Sequence, residues 1–303
     1  QNNRANSQNG DYAELIDKLC DLGERRIADM DAAGIDMQIL SLNSPGTEQL
    51  EASDALKLSK ESNDHLAEAM RLYPTRFGGF ASLPTSDPTK AADELERTVR
   101  EHGFKGALIN GHNRGRYLDD RFFWPILERA EELNVPIYLH PTPPPEPVIK
   151  TSYTGNFAPE VAARLSTAGW GWHIETAIHL LRIILSGAFD KYPKLQMVIG
   201  HLGETLPFML PRLELTMTIP LTKLNRPVGD YLRENVHYTP SGFNYTADFL
   251  DLLLQVGADR IMFSADYPYW AMTQARDFLD HLPISQQDKE RIAHGNAERL
   301  LRL

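Results

Sequence analysis

Helical and extended patterns alternate along this chain with a regular beat, and that alternation restricts its fold more than any other feature. Leu15, Ile16, Leu19, Leu22, Ile27 and Met30 fall near helical spacing and predict a helix over 12–33, stopped by Gly34. A buried strand over 36–42 follows, then a helix over 53–72 and a strand over 77–83. Asp87-Pro88 places an acid at an N-cap and proline at the first helical position, and Gly103 ends that helix. A strand over 105–110, a helix over 122–133 and a strand over 136–139 complete the first half. The second half repeats the scheme. A helix over 174–186 precedes a strand over 195–199 and a weaker one over 236–239. A helix over 246–256, a strand over 260–264 and a closing helix over 285–301 end the chain.

Such alternation implies a parallel sheet with helical crossovers. The candidates are a doubly wound sheet and a (β/α)8 TIM barrel. No GxGxxG follows an early strand, which weakens a dinucleotide-binding sheet. A length of 303 residues suits one large barrel, and no Ser/Gly-rich linker divides it, so a single α/β barrel domain over 1–303 is expected. Only seven strands can be counted, and the chain opens on a polar loop and a helix. The expectation is therefore that the barrel's first strand lies upstream of Gln1. The other reading is a sheet that never had an eighth strand.

Composition excludes several classes. With 31 Lys+Arg against 41 Asp+Glu the net charge is −10, and no basic run is present, so a nucleic-acid partner is not expected. No run approaches the ~18 apolar residues of a membrane span. The polar start QNNRANSQNG has no signal-peptide character, which points to the cytoplasm. The single Cys20 excludes a disulfide framework and a cysteine-based zinc site.

Barrel enzymes carry their chemistry at the C-terminal ends of strands. The strand over 136–139 ends in His140, that over 195–200 in His201, and that over 260–265 in Asp266. Earlier strand ends offer Asn43 and Asn110 as substrate contacts. Imidazole and carboxylate are natural ligands of a divalent metal with open positions. Any one of these histidines could be merely packed; together with the aspartate they converge on one mouth. Glu204 either orients His201 through its second N–H or is a first-turn acid of a helix over 205–216. His173, beside Trp170 and Trp172, lines an aromatic pocket or packs at a helix start. Glu175 and His179 share a helical face, Arg114 and Arg116 could steer an anion, and Pro141–Pro147 reads as a stiff loop. No GxSxG, phosphate loop or HExxH occurs.

At these strand ends the chain resembles the amidohydrolase-related TIM-barrel enzymes, especially their metal-dependent decarboxylase branch, with its 2,3-dihydroxybenzoate, γ-resorcylate and 5-carboxyvanillate decarboxylases. The strings that carry the resemblance are Phe80-Ala81-Ser82-Leu83-Pro84, Val135-Pro136-Ile137-Tyr138-Leu139-His140-Pro141, Gly200-His201-Leu202-Gly203-Glu204 and Arg260-Ile261-Met262-Phe263-Ser264-Ala265-Asp266-Tyr267-Pro268. Similar stretches run from about Ile27 to Leu303. The resemblance implies metal ligands at His140 and Asp266 and a catalytic histidine at His201 supported by Glu204. It also implies an HxH or ExH pair on strand one, and this sequence has no such pair. The bridging lysine of two-metal members is replaced near Asn110, which implies one divalent ion, zinc or manganese. A homodimer or homotetramer acting on a small aromatic acid is implied as well.

The first expectation is thus non-oxidative decarboxylation of a hydroxylated benzoate-type acid, with Asp266 as proton donor. The alternative is a metal-dependent hydrolase opening a lactone or amide with the same residues.

Overall fold

The computed structural model describes residues 12–303. The polar stretch at 1–10, and the reading of it as lacking a signal peptide, lie outside them. Strands β1 (Gln38–Leu40), β2 (Phe77–Gly79), β3 (Ala81–Ser82), β4 (Ala107–Asn110), β5 (Ile137–His140), β6 (Met197–Ile199) and β7 (Val236–Tyr238) all pair in parallel. The sheets are β1-β2 and β3-β4-β5-β6-β7, in sequence order. That order, with helices between strands, is the winding of a TIM barrel.

The sequence places one strand over 77–83, where the structure has two short ones. The Phe80 amide donates to Leu40 O at 2.8 Å, and the Ala81 amide to Gly106 O at 2.8 Å. Lys105 N–H already donates to Gly79 O at 2.8 Å, so one extended segment has β1 on one side and β4 on the other and joins the two sheets. The strand expected over 260–264 is reduced to a single parallel bridge, Tyr238↔Ile261. Toward β7 Met262 N–H donates to Tyr238 O at 2.9 Å, and the other side of the segment meets the C-terminal helical segment. Phe263 N–H donates to Ile292 O at 2.8 Å, and Asn296 Nδ2 donates to Ile261 O at 2.7 Å. Among the described residues no strand stands between this stave and β1.

Side-chain caps at Asp87, Asp120 and Ser285 set the starts of their helices. Asp87 Oδ1 accepts the Lys90 amide at 3.2 Å and Gly103 ends that helix at φ 73°, as the sequence predicts. The helix expected over 12–33 is broken. Residues 12–20 and Glu24–Ala32 are helical. Between them the Asp21 carboxylate takes the Gly23 and Arg26 amides at 3.2 and 2.6 Å, starting a second helix instead of continuing the first. The closing helix contains a π turn at Arg291–Gly295. The helix expected from residue 174 begins at Gly171 and runs to Leu185, which puts His173 in its first turn. Pro141–Pro147 is not all loop, since Glu146–Ser152 is helical.

The apolar staves Ile109, Ile137, Leu139, Met197 and Ile199 are fully buried and form the barrel wall with the helices packed outside. Among the described residues no helix is long and apolar enough to cross a membrane.

Glu48, on the loop after β1, is 1% exposed. Its Oε1 accepts the Asn110 amide at 2.7 Å, while Oε2 and Asn110 Oδ1 have no partner. Burial pushes this carboxyl up to about 7, against the pull of the Asn110 hydrogen bonds. A folded-state value above the ordinary 4.5 means the protonated acid favours the fold. Stability from this group is full below the ordinary value and is lost as pH rises through about 7. Glu48→Gln keeps an acceptor for Asn110 and removes the titration. The variant is expected to gain on the order of 2–3 kcal/mol over the parent at about pH 8 and nothing near pH 4. Denaturant midpoints at the two pH values measure this, and an equal difference at both would contradict it.

Candidate active site

The three strand-end groups meet at the C-terminal mouth of the barrel. His140 closes β5, opposite Asn110 at the end of β4. Its ring centroid lies 6.5 Å from that of His201, which follows β6. His140 Nδ1 lies 3.0 Å from Pro141 O, so Nδ1 carries the proton and Nε2 the lone pair. Burial, with His201 adding to it, pushes this imidazole down to about 4 and keeps it neutral. Asp266 is pushed up to about 6 by burial, with His201 pulling the other way. Among the described residues its carboxylate accepts no hydrogen bond.

His201 and Glu204 sit on an unusual piece of backbone. His201, Leu202, Gly203, Glu204 and Thr205 are all left-handed, with φ of 48°, 56°, 89°, 53° and 69°. Asp266 is left-handed too, at 60°. Each non-glycine residue so placed costs roughly 1–3 kcal/mol, a strain that persists where the surroundings over-determine it. Two contacts do so here: Gly203 N–H to Gly200 O at 2.8 Å, and Leu202 N–H to Thr239 O at 3.0 Å. Gly203 also lacks room for a side chain, since a Cβ would stand 2.8 Å from Pro207. At Gly200 a Cβ would come within 2.9 Å of the Tyr138 hydroxyl. That hydroxyl joins Thr239 at 2.8 Å and Ser241 at 3.1 Å in a polar network within the barrel.

The turn aims Glu204 back at His201. Glu204 Oε1 accepts His201 Nδ1–H at 2.6 Å. The reading of Glu204 as a first-turn helix acid is overturned, because the helix begins at Leu206 and Glu204 is buried in the turn before it. His201 Nε2 makes no hydrogen bond among the described residues. Burial disfavours the His201 cation, but the Glu204 charge and hydrogen bond, with Asp266, outweigh it and raise the imidazole above its ordinary value. Glu204 shows the reverse balance: burial opposes its charge, and the histidines hold it lower than usual.

The sequence left His173 as an aromatic-pocket residue or as helix-start packing, and the structure gives it a polar partner. Its Nδ1 lies 2.6 Å from Glu204 Oε2, and its ring centroid 4.7 Å from that of His201. Ligand-type atoms of His173, His201 and Glu204 lie within 4.8 Å of one another, a spacing that could hold a metal. Both 2.6 Å contacts are hydrogen bonds that occupy the carboxylate, so in this arrangement the trio is a polar relay. A strand-end scan could not find His173, because it comes from a crossover helix.

The remaining candidates separate. Asn110 is buried beside His140, with Oδ1 unpartnered. Asn43 is half-buried, and its amide donates to Tyr269 Oη at 2.6 Å, three residues past Asp266. Arg114 and Arg116 do not point free charge at the mouth; they pair with Glu51 at 2.7 Å and Asp120 at 2.8 Å. Glu175 and His179 are both buried but serve the loop after β4. Glu175 accepts the Tyr117 hydroxyl, and His179 Nε2 accepts the Leu118 amide at 2.8 Å.

The sequence profile of the amidohydrolase family matches residues 17–303. The chain belongs to that family. γ-Resorcylate decarboxylase of Polaromonas sp. is 40% identical over 304 residues, covering 97% of this chain and 91% of that protein. A crystal structure of dihydroxybenzoic acid decarboxylase from Polaromonas sp. JS666, with bound manganese and the inhibitor 2-nitroresorcinol, superposes with a TM-score of 0.91. It is 40% identical, covering 97% of this chain and 90% of that one. The 5-carboxyvanillate decarboxylase of Novosphingobium aromaticivorans, solved with manganese and 3-methoxy-4-hydroxy-5-nitrobenzoic acid, gives 0.90 at 39% identity, covering 96% and 84%. These amidohydrolase-family relatives share the parallel barrel, the feature that places His140, His201 and Asp266 at one mouth.

Proposed function

We propose that this chain is a metal-dependent, non-oxidative decarboxylase of a hydroxylated aromatic carboxylic acid, a carbon–carbon lyase acting as one barrel domain over 1–303. The observation that carries the reading is the convergence of His140, His201–Glu204 and Asp266, in a chain 40% identical to a γ-resorcylate decarboxylase.

His140 and Asp266 are the residues that would hold one divalent ion, manganese or zinc. They fit such an ion: His140 is neutral with Nε2 free, and the Asp266 carboxylate is bare of hydrogen bonds among the described residues. When bound, the ion supplies Lewis-acid polarisation and a template for the substrate carboxylate and its adjacent hydroxyl. His201 Nε2 then hydrogen-bonds the phenolic oxygen, with Glu204 fixing its tautomer. Asn110, opposite His140, and Asn43, which donates to Tyr269 Oη, would complete the substrate side. Protonated Asp266 gives its proton to the ring carbon bearing the carboxylate, which breaks aromaticity. The carbon–carbon bond then cleaves, its electron pair returns to the ring, and carbon dioxide leaves. Asp266 regains a proton from water.

A panel of 2,3- and 2,6-dihydroxybenzoate, 5-carboxyvanillate and simple lactones, assayed with the manganese-loaded protein, tests this. Carbon dioxide release from at least one acid is expected. Lactone or amide opening with no carbon dioxide from any acid would make the chain a hydrolase.

A homo-oligomer suits the surface, where Phe208 (77% exposed) and Leu215 (70%) stand on the helix Leu206–Thr216 and Leu221 (66%) on the next. Light scattering should give a dimer or tetramer, and a monomer at micromolar concentration would contradict it. The lone free cysteine suits the cytoplasm, where cell fractionation should find the protein.

A further inference from the structure

Glu204 is shared. One oxygen takes His201 Nδ1 and the other takes His173 Nδ1, each at 2.6 Å. The far side of the His173 ring decides what this second bond is. His173 Nε2 lies 3.0 Å from the indole Nε1 of Trp172, its neighbour in sequence. An indole nitrogen can only donate. His173 Nε2 therefore carries the lone pair, and the ring proton sits on Nδ1, pointing at Glu204 Oε2. Trp172 thus holds His173 as the neutral Nδ1–H tautomer.

A neutral donor suits this place. Glu204 is 1% exposed, and a buried carboxylate oxygen without a partner is costly. With one partner only, its terminal torsion would be broad, and either oxygen could meet His201. Two donors from two elements, the helix Gly171–Leu185 and the turn after β6, fix the carboxylate plane. Because His173 is neutral, it does so without placing a cation beside His201, 4.7 Å away. Phe243 packs edge-on against both rings at 5.2 Å.

We infer that His173 is a positioning residue, locked by Trp172, which orients Glu204 and through it presents His201 Nε2 to the substrate. This rests on the reading that His201 acts on the substrate.

The test compares His173→Phe, which fills the space and donates nothing, with His173→Asn, whose amide nitrogen stands where Nδ1 does. His201→Asn is measured beside them, all manganese-loaded. His173→Phe is expected to lower kcat ~10–100-fold with KM within about twofold and metal content unchanged, as for loss of an outer partner. His173→Asn should recover most of that loss. In proton NMR of the zinc-loaded proteins, which hold no paramagnetic ion, the low-field signal of the His173 Nδ1–H should vanish in the Phe variant, and that of His201 should shift. Full kcat in His173→Phe, or equal impairment in Phe and Asn, would overturn the inference. Full activity in His201→Asn is a separate result and would overturn the underlying reading. Should the His173→Phe melt show loss of fold, Trp172→Phe decides. Nitrogen NMR of the zinc-loaded variant should then show proton density moving to His173 Nε2, with kcat of the manganese-loaded variant lowered several-fold. An unchanged tautomer with unchanged kcat would overturn the inference.

Discussion

Replacing His201 by Asn is expected to lower turnover by ~10²–10⁴, the usual cost of losing one positioned acid–base or hydrogen-bonding group, while metal content stays at the parent level. The expectation follows from the geometry. His201 spends Nδ1 on Glu204 and leaves Nε2 without a protein partner among the described residues. A buried imidazole held in one tautomer, with its other nitrogen free at a barrel mouth, is built to meet a substrate atom. The run of left-handed residues from His201 to Thr205 keeps it there. Asparagine tolerates such a backbone better than most residues, so the fold should survive. Glu204→Gln should cost less, about 10–100-fold, because the amide offers one acceptor to two histidine donors. Parent-like kinetics in His201→Asn would make the residue structural, and loss of metal would make it a ligand.

Asp266→Asn is expected to abolish turnover in both directions, decarboxylation of the acid and carboxylation of the phenol by bicarbonate. The same carboxylate is assigned as proton donor and metal ligand, so both functions go with it. Asp266 is also left-handed, and asparagine keeps the shape and tolerates the φ of 60°. Loss of activity in this variant therefore reports chemistry more than folding. His140→Ala separates the two functions, since it should lose metal occupancy without touching the proton donor. Unchanged metal stoichiometry in His140→Ala would remove His140 from the ligand set. Full carboxylation by Asp266→Asn would remove Asp266 from the proton transfer.

The strand-end residues were legible because a parallel barrel makes sequence position and spatial position agree. An apolar run that ends in His140, His201 or Asp266 points that residue at the same mouth as the others. Capping was legible for the same local reason, as Asp87-Pro88 and Gly103 show. Three things were not. The last stave reads as a strand, yet on its side away from β7 the C-terminal helical segment meets it through Phe263 and Asn296, a long-range contact that local pattern does not carry. Glu204 precedes a helix and reads as a helix acid. Its left-handed φ has no signature in a non-glycine residue, so its reach back to His201 was only one of two readings. His173 was hidden because it lies in the first turn of a crossover helix, 28 residues before His201, and only folding sets its ring against Glu204. The string Trp172-His173 held the one local clue, an indole donor beside an imidazole.

The central claim is that this mouth exchanges a ring carboxylate for a single proton. Turnover of 2,6-dihydroxybenzoate or 5-carboxyvanillate by the manganese-loaded protein in heavy water tests it most directly, with the product read by mass spectrometry and NMR. Release of one carbon dioxide is expected, with one deuterium fixed at the carbon that bore the carboxylate and Asp266→Asn giving neither. Recovery of the acids unchanged while a lactone or amide of the same ring is opened would contradict it.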